Sequence, residues 1–155
     1  MLNTANMYDA GRGVEQSSVE SAQWYLRAAN GGHASAQYNV AVAYEQGSGL
    51  QQSPANALKW YLAAASQDHK AAPFNIGVMF AKGMGVEADE VEALMWFTRG
   101  SKEGNTNAQV ALAQCYFFGR GGLEKDEEVA LELLRDAADD GNAVAKQMLQ
   151  SAKKQ

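Results

Sequence analysis

Hydrophobic and small residues recur along this chain with a period of 36 residues. One column of the pattern is aromatic and consists of Tyr8, Tyr44, Phe80 and Tyr116. The columns four and three positions earlier hold Thr4, Val40, Ile76 and Leu112, and the small residues Ala5, Ala41, Gly77 and Ala113. Spacings of three and four residues place such side chains on one face of a helix. Each repeat is therefore predicted to open with a helix that packs this face into a core.

A second helix is predicted in every repeat from its start signal, its large apolar pair and its stop signal. The start signals are good N-cap residues, namely Ser17, Ser53, Asp89 and Asp126. The apolar pairs are Trp24–Tyr25, Trp60–Tyr61, Trp96–Phe97 and Leu133–Leu134. The expected ends are Gly32, Asp68, Gly104 and Gly141, because a left-handed residue commonly follows a helix. The pattern thus predicts helix–loop–helix repeats.

Glycine-rich loops join the two helices of each repeat. They read GRGV, GSGL, GMGV and GRGGL, and they begin at Gly11, Gly47, Gly83 and Gly119. Of the 15 glycines, 13 fall in predicted turns, and Gly77 and Gly100 lie inside predicted helices. Glycine costs about 1 kcal/mol in a helix interior, so this distribution supports the predicted boundaries. A fixed period of this length is typical of solenoid proteins.

The motif of each repeat resembles the Sel1-like repeat, a relative of the tetratricopeptide repeat. The resemblance is carried by Ala36–Gln37 and Ala108–Gln109, the hydrophobic–small–x–x–Tyr step, the G-x-G loop, and the A-x-x-W-[YF] string of Ala57 and Ala93. Departures are Ser21 in place of that alanine, Pro73 in place of the glutamine, and the loss of aromatics at Leu133–Leu134.

The resemblance implies an all-α fold, a right-handed αα-superhelix of about four repeats with a C-terminal capping helix. We expect a single domain over residues 1–155, divided into a partial repeat 1–32, repeats 33–68, 69–104 and 105–141, and a capping helix 142–152. Met1 falls at the position of Gln37, so the first helix lacks its opening turn. We therefore expect that the protein or its ancestor continued further towards the N-terminus. The N-terminal end, which has no polar cap, is a candidate contact for a homodimer.

Charge and composition narrow the range of partners. The net charge of −5 lacks the basic footprint of a nucleic-acid binder, and no apolar run approaches the ~20 residues of a membrane span. The N-terminus has no signal-peptide pattern, and one cysteine forms no intrachain disulfide, which favours the cytoplasm without excluding export of a longer precursor. Residues 105–141 carry eight acidic and three basic side chains, which indicates either a solvated helix face or a basic partner.

Superhelical repeats of this kind line their concave side with the first helices. The residues expected to point into that groove include Tyr38, Val42, Glu45, Phe74, Val78, Val110, Gln114 and Phe117. A contiguous apolar patch on a solvent-facing surface marks an interaction site, although tight curvature could instead bury these residues as core. The resemblance implies a non-enzymatic adaptor that binds a protein or peptide, or a bacterial immunity or regulatory protein that neutralises a partner.

The sequence gives little support for metal binding, a reactive thiol or catalysis. The tryptophans recur in register and are interpreted as packing residues, and Cys115 is interpreted as a buried thiol. His33 and His69 are expected at the surface, roughly 10 Å apart like neighbouring helices, which is too far to share a metal ion. We expect no cofactor. A β-lactam-binding or β-lactam-hydrolysing protein is a further alternative, disfavoured because that subgroup carries paired cysteines; the S-x-x-K string Ser151–Lys154 is interpreted as accidental.

Overall fold

A computed structural model of the chain describes residues 1–152. This part of the chain contains nine helices and no strand: α1 (Leu2–Ala10), α2 (Ser18–Asn30), α3 (Ala34–Gln46), α4 (Pro54–Ala65), α5 (Ala72–Lys82), α6 (Glu90–Lys102), α7 (Thr106–Phe118), α8 (Glu127–Asp139) and α9 (Ala143–Ala152). Odd-numbered helices are the first helices of the predicted repeats, and even-numbered helices are the second. The predicted all-α class is confirmed. No helix among the described residues has the length and apolar character needed to cross a bilayer.

The predicted helix signals act as expected. The side chains of Ser17 and Ser53 accept hydrogen bonds from the backbone N–H groups three residues later, at 3.3 and 3.4 Å. Asp89 and Asp126 cap α6 and α8 in the same way. Every predicted stop residue of a second helix has a positive φ, and Asp68, with φ 57°, is the one non-glycine residue of the described chain that does. Local chemistry therefore sets where the helices begin and end.

The chain divides into two compact units. The N-terminal unit comprises Met1–Ala72 with Met84–Val86, and the C-terminal unit comprises Pro73–Gly83 and the described residues from Glu87 to Ala152. One core cluster of the N-terminal unit consists of alanines on α1, α2 and α3 together with Tyr25 and Val40. Small side chains let these helices approach closely, and larger, partly buried residues such as Trp24, Tyr44 and Trp60 pack against the cluster.

The C-terminal unit contains two core clusters. One lies where α7, α8 and α9 meet and includes the fully buried Leu134. The other joins α6 and α7 through Phe97, Leu112 and Cys115. Phe97 also explains the mid-helix glycine of α5, since a Cβ on Gly77 would stand 2.5 Å from its ring. The ring of Phe97 thus fills the space that a side chain on Gly77 would occupy.

The second glycine of the G-x-G loop is required by close packing. In the C-terminal unit Gly121 has φ 65°, and a Cβ there would stand 2.7 Å from the carbonyl oxygen of Glu90 at the start of α6. The equivalent Gly49 and Gly85 approach the starts of α2 and α4 in the same manner. This contact holds the loop that carries Arg120 against α6.

Candidate functional site

The eight residues predicted to line the groove all lie on first helices. Tyr38, Val42 and Glu45 belong to α3, Phe74 and Val78 to α5, and Val110, Gln114 and Phe117 to α7. Seven of them are half-buried. The expectation that Val110 offers groove surface is wrong: it is 7% exposed and packs in the core formed with α8 and α9. The capping helix covers the side of α7 on which Val110 stands.

Tyr38 is held by aromatic neighbours within the N-terminal unit. Its ring lies 5.4 Å from the ring of Tyr61 and 4.5 Å from that of His69, which it stacks at an interplanar angle of 20°. The hydroxyl of Tyr61 donates to Glu45 Oε2 at 2.6 Å. Two of the predicted groove residues are thus fixed by side chains of α4 and the following loop.

The two histidines differ in their surroundings. His33 is exposed at the start of α3, as predicted. The same expectation for His69 is wrong, because its ring is half-buried against Tyr38 and its Nδ1 atom is buried without a hydrogen-bond partner among the described residues. Burial lowers the pKa of His69, since the charged imidazolium loses hydration there. This ring is part of the packing rather than of the surface.

A polar cleft of about 200 Å³ opens in the N-terminal unit between α1, α2 and α3; we call it the first cleft. It is lined by Asp9, Ser18, Ser21, Ala22, Tyr25, Asn39, Val42, Ala43, Gln46 and Ser48. The hydroxyl of Tyr25 donates to Asn6 Oδ1 at 2.6 Å. Burial, with the negative charge of Asp9, raises the pKa of Tyr25, so the phenol remains a neutral donor. The first cleft therefore offers hydrogen-bonding groups.

A second cleft, of about 290 Å³, opens in the C-terminal unit between α5, α6 and α7. It is lined by Phe74, Val78, Ala81, Lys82, Glu90, Ala93, Phe97, Ala111, Gln114, Cys115 and Arg120. Its floor is apolar, with the rings of Phe74 and Phe97 6.2 Å apart. Cys115 is 6% exposed, which confirms the predicted buried thiol. Burial raises its pKa, and the charge of Arg120 opposes that rise.

The two clefts occupy equivalent positions in the repeat, 72 residues apart. The register pairs Asp9 with Ala81, Ser21 with Ala93, Tyr25 with Phe97, Asn39 with Ala111, and Ser48 with Arg120. Sequence reasoning missed the clefts because it followed the first helices alone. The signal was available in the α2 and α6 columns, where serine and tyrosine give way to alanine and phenylalanine.

The tryptophans belong to the packing of the second helices. Trp24 and Trp60 pack against the N-terminal core, as predicted. The guanidinium groups of Arg27 and Arg99 lie over the rings of Trp24 and Trp96, at 4.8 and 5.6 Å. No three His, Cys, Asp or Glu side chains of residues 1–152 stand close enough together to hold a metal ion.

Comparison with known proteins identifies a family whose repeats match this chain. The family model of the Sel1 repeat matches residues 1–33, 34–69, 71–105 and 106–142. No curated protein matches the chain.

Solved structures of bacterial proteins share the fold. A Sel1 repeat protein from Oxalobacter formigenes is 34% identical, with a TM-score of 0.84 over 94% of this chain and 59% of that one. The protein c5321, a protective antigen present in uropathogenic Escherichia coli strains and displaying an SLR fold, is 31% identical, with a TM-score of 0.87 over 93% of this chain and 31% of that one. This chain thus spans about three fifths and one third of their lengths. Cysteine rich protein B of Helicobacter pylori, 16% identical with a TM-score of 0.63 over 81% of this chain and 90% of that one, is alike in fold alone.

Proposed function

The chain belongs to the Sel1 repeat family, whose members are commonly protein–protein interaction modules, and on that premise we propose that it is a non-enzymatic adaptor. Each unit offers its own binding surface, formed by the face of its first helices together with the cleft that opens beside it. The partner is a protein or a peptide segment of one. The seven half-buried residues of the predicted groove are the proposed contacts: Tyr38, Val42, Glu45, Phe74, Val78, Gln114 and Phe117.

The observation that carries this proposal is the recurrence of a cleft at the same place in the repeat with a different lining. At about 200 and 290 Å³, the clefts lie below the roughly 300–1,000 Å³ of pockets that enclose a whole small ligand. A volume of this size suits one or two side chains. Recurring side-chain subsites are what a surface needs to recognise a polypeptide.

A pair of substitutions on the first helices tests the proposal. Ser35 lies one turn before Tyr38 on α3, and Ala81 lies one turn after Val78 on α5. Both are exposed, so Ser35→Arg with Ala81→Arg adds bulk and charge without disturbing either core. We expect the partner, captured from the source organism and then purified, to bind this variant at least about tenfold more weakly, as when central contacts of an interface are lost. Affinity is measured by calorimetry, and folding by circular dichroism.

The matched control places the same charges on second helices. Gln23 and Met95 are exposed on α2 and α6, and Gln23→Arg with Met95→Arg should leave partner affinity unchanged. Equal affinity in both variants, or loss only in the control, would show that the partner binds elsewhere.

A second candidate partner is another copy of the chain, bound through the N-terminal end as a homodimer. Met1 and Met7 of the α1 region are 67% and 41% exposed, so apolar surface is available there. A Met7→Lys variant should abolish any concentration-dependent increase in sedimentation coefficient if the dimer forms through this region; a monomer at all concentrations rules the dimer out.

A further inference from the structure

We propose that the second cleft binds a bulky apolar side chain of a partner peptide in which an aspartate or glutamate stands beside that side chain. The inference rests on the proposed function and deepens it, since it names the chemistry that this one cleft selects. It concerns the C-terminal unit alone.

The second cleft is apolar because two polar residues that contact each other in the preceding repeat are both replaced in this one. In the two preceding repeats the second-helix tyrosine donates its hydroxyl to a polar residue of a first helix, from Tyr25 to Asn6 and from Tyr61 to Glu45. In the third repeat the tyrosine is replaced by Phe97, and the position of Glu45 is taken by Ala81. Donor and acceptor are both absent, so no buried polar group is left unsatisfied.

The replaced groups leave an opening rather than a filled core. Ala81 is exposed and Val78 is half-buried, so the apolar surface of α5 is accessible from the solvent. Ala93 and Ala111 replace a serine and an asparagine of the first cleft and contribute only methyl groups. The opening of about 290 Å³ fits an inserted side chain of the size of leucine, methionine or phenylalanine.

The charged residues at the rim of the cleft favour a partner of negative charge. Lys82 and Arg120 are exposed there, and neither forms an ion pair with a side chain of residues 1–152. Glu90, the acidic residue of the lining, accepts a hydrogen bond from the backbone N–H of Gly121 at 3.5 Å. Two cations therefore face an incoming chain in a protein whose net charge is −5. Such complementarity favours a carboxylate next to the inserted apolar group.

Arg120 is held at this rim by its surroundings. Its guanidinium lies 5.3 Å from the ring of Phe118, and the adjacent Gly121 is packed against the start of α6. Its positive charge also acts on the thiol of Cys115 inside the cleft. A guanidinium stacked on a ring keeps its edge donors available for a carboxylate.

A random library of short peptides displayed on phage is the probe. Selection against the folded chain should enrich sequences with Leu, Met or Phe next to Asp or Glu. A synthetic copy of an enriched peptide should slow the reaction of Cys115, the single cysteine of the chain, with a thiol reagent, because the bound side chain covers the cleft. Replacing the acidic residue of that peptide by lysine should weaken binding at least about tenfold.

The decisive variant restores the polar pair of the preceding repeat. Phe97→Tyr with Ala81→Glu reproduces the Tyr61–Glu45 contact, which the same backbone already accommodates 36 residues earlier. Circular dichroism should show that the double variant stays folded. Its affinity for the selected peptide should be at least about tenfold lower, because a carboxylate now occupies the cleft. Met95→Glu is the matched control, because it adds the same charge on the exposed side of α6 outside both clefts, and it should leave binding of this peptide unchanged.

Three results with peptides would overturn the inference. These are enrichment of basic or wholly polar peptides, unchanged affinity in the folded double variant, and equal displacement of the peptide by a small apolar acid such as octanoate, which would indicate a small-molecule site. A self-association that the double variant abolishes would assign the cleft to a second copy of the chain and would also overturn it. If the double variant keeps full affinity for the purified partner while Ser35→Arg with Ala81→Arg loses it, the inference fails and the proposed function stands.

Discussion

His69 shows how one side chain of a repeat protein can acquire a role that its column does not have. His33, one period earlier, is exposed at the start of α3, whereas His69 stacks on Tyr38 at 4.5 Å. The stack places an imidazole where its charged form is poorly hydrated. A residue that looks like a surface histidine in the sequence is thus coupled to the stability of the N-terminal unit.

This coupling predicts a dependence of stability on pH. The pKa of His69 is lowered from its ordinary value of 6.5, so between these two pKa values the unfolded chain binds more protons than the folded chain. The contribution of the neutral His69 ring to the free energy of unfolding is therefore fully present above about pH 6.5 and is lost as the pH falls below that value. We expect the free energy of unfolding, measured with urea, to fall less from pH 7 to pH 5 in His69→Phe, which keeps a ring against Tyr38.

The matched control for this prediction is His33→Gln. Because His33 is exposed, its replacement should leave the pH dependence of the wild-type chain in place. An unchanged pH dependence in His69→Phe would show that carboxylates or other groups, and not the stacked ring, account for the loss at low pH.

At the scale of the element, α8 and its C-cap residue Asp140 carry a row of like charges. Glu128, Glu132, Asp136 and Asp140 stand four residues apart and are all exposed. Like charges at this spacing destabilise a helix by about 0.2–0.5 kcal/mol per pair. The last turn of α8 also has no basic residue to balance the helix dipole. The helix is therefore held by its buried face, where Ala130, Leu134 and Ala137 are almost fully inaccessible, and not by its surface.

Reversing one charge of this row should stabilise the C-terminal unit. Asp136→Lys converts two repulsive pairs into attractive ones and adds a cation near the helix C-terminus, so we expect a gain of about 1 kcal/mol in the free energy of unfolding. Asp139→Lys has the same change in net charge but lies outside the row, and its gain should be smaller. Equal gains in the two variants would attribute the effect to net charge; in high salt the difference should shrink.

The fold was predictable from the sequence because its signals are local. A cap such as Ser53 or Asp126 acts on N–H groups three residues away, and the repeat shows the same signal several times. The errors concern contacts between distant residues. His69 stacks on a ring 31 positions earlier in the chain, and Val110 is covered by α8 and α9. The clefts each need three helices from two successive repeats, so no single column of the sequence reveals them.

At the scale of the whole molecule, the repeat separates structure from recognition. The columns that build the core and the loops are held nearly constant, while the residues of the cleft change from one repeat to another. Tyr25, Tyr61 and Phe97 occupy one column, yet the first two donate hydrogen bonds and the third leaves an apolar opening. One backbone can therefore present several subsites, and specificity becomes a property of a few exchangeable side chains.

This separation predicts that the specificity of the second cleft can be moved to the first. Eleven substitutions carry the lining across by 72 residues: Leu2→Phe, Asn6→Val, Asp9→Ala, Ala10→Lys, Ser18→Glu, Ser21→Ala, Tyr25→Phe, Asn39→Ala, Val42→Gln, Ala43→Cys and Ser48→Arg. In a chain whose second cleft is disabled by Phe97→Tyr with Ala81→Glu, this graft should restore binding of the selected peptide, measured by fluorescence anisotropy. The same graft without its two cations should bind at least about tenfold more weakly. A folded graft that fails to bind would mean that the lining alone does not define the subsite, and that contacts outside the cleft select the partner.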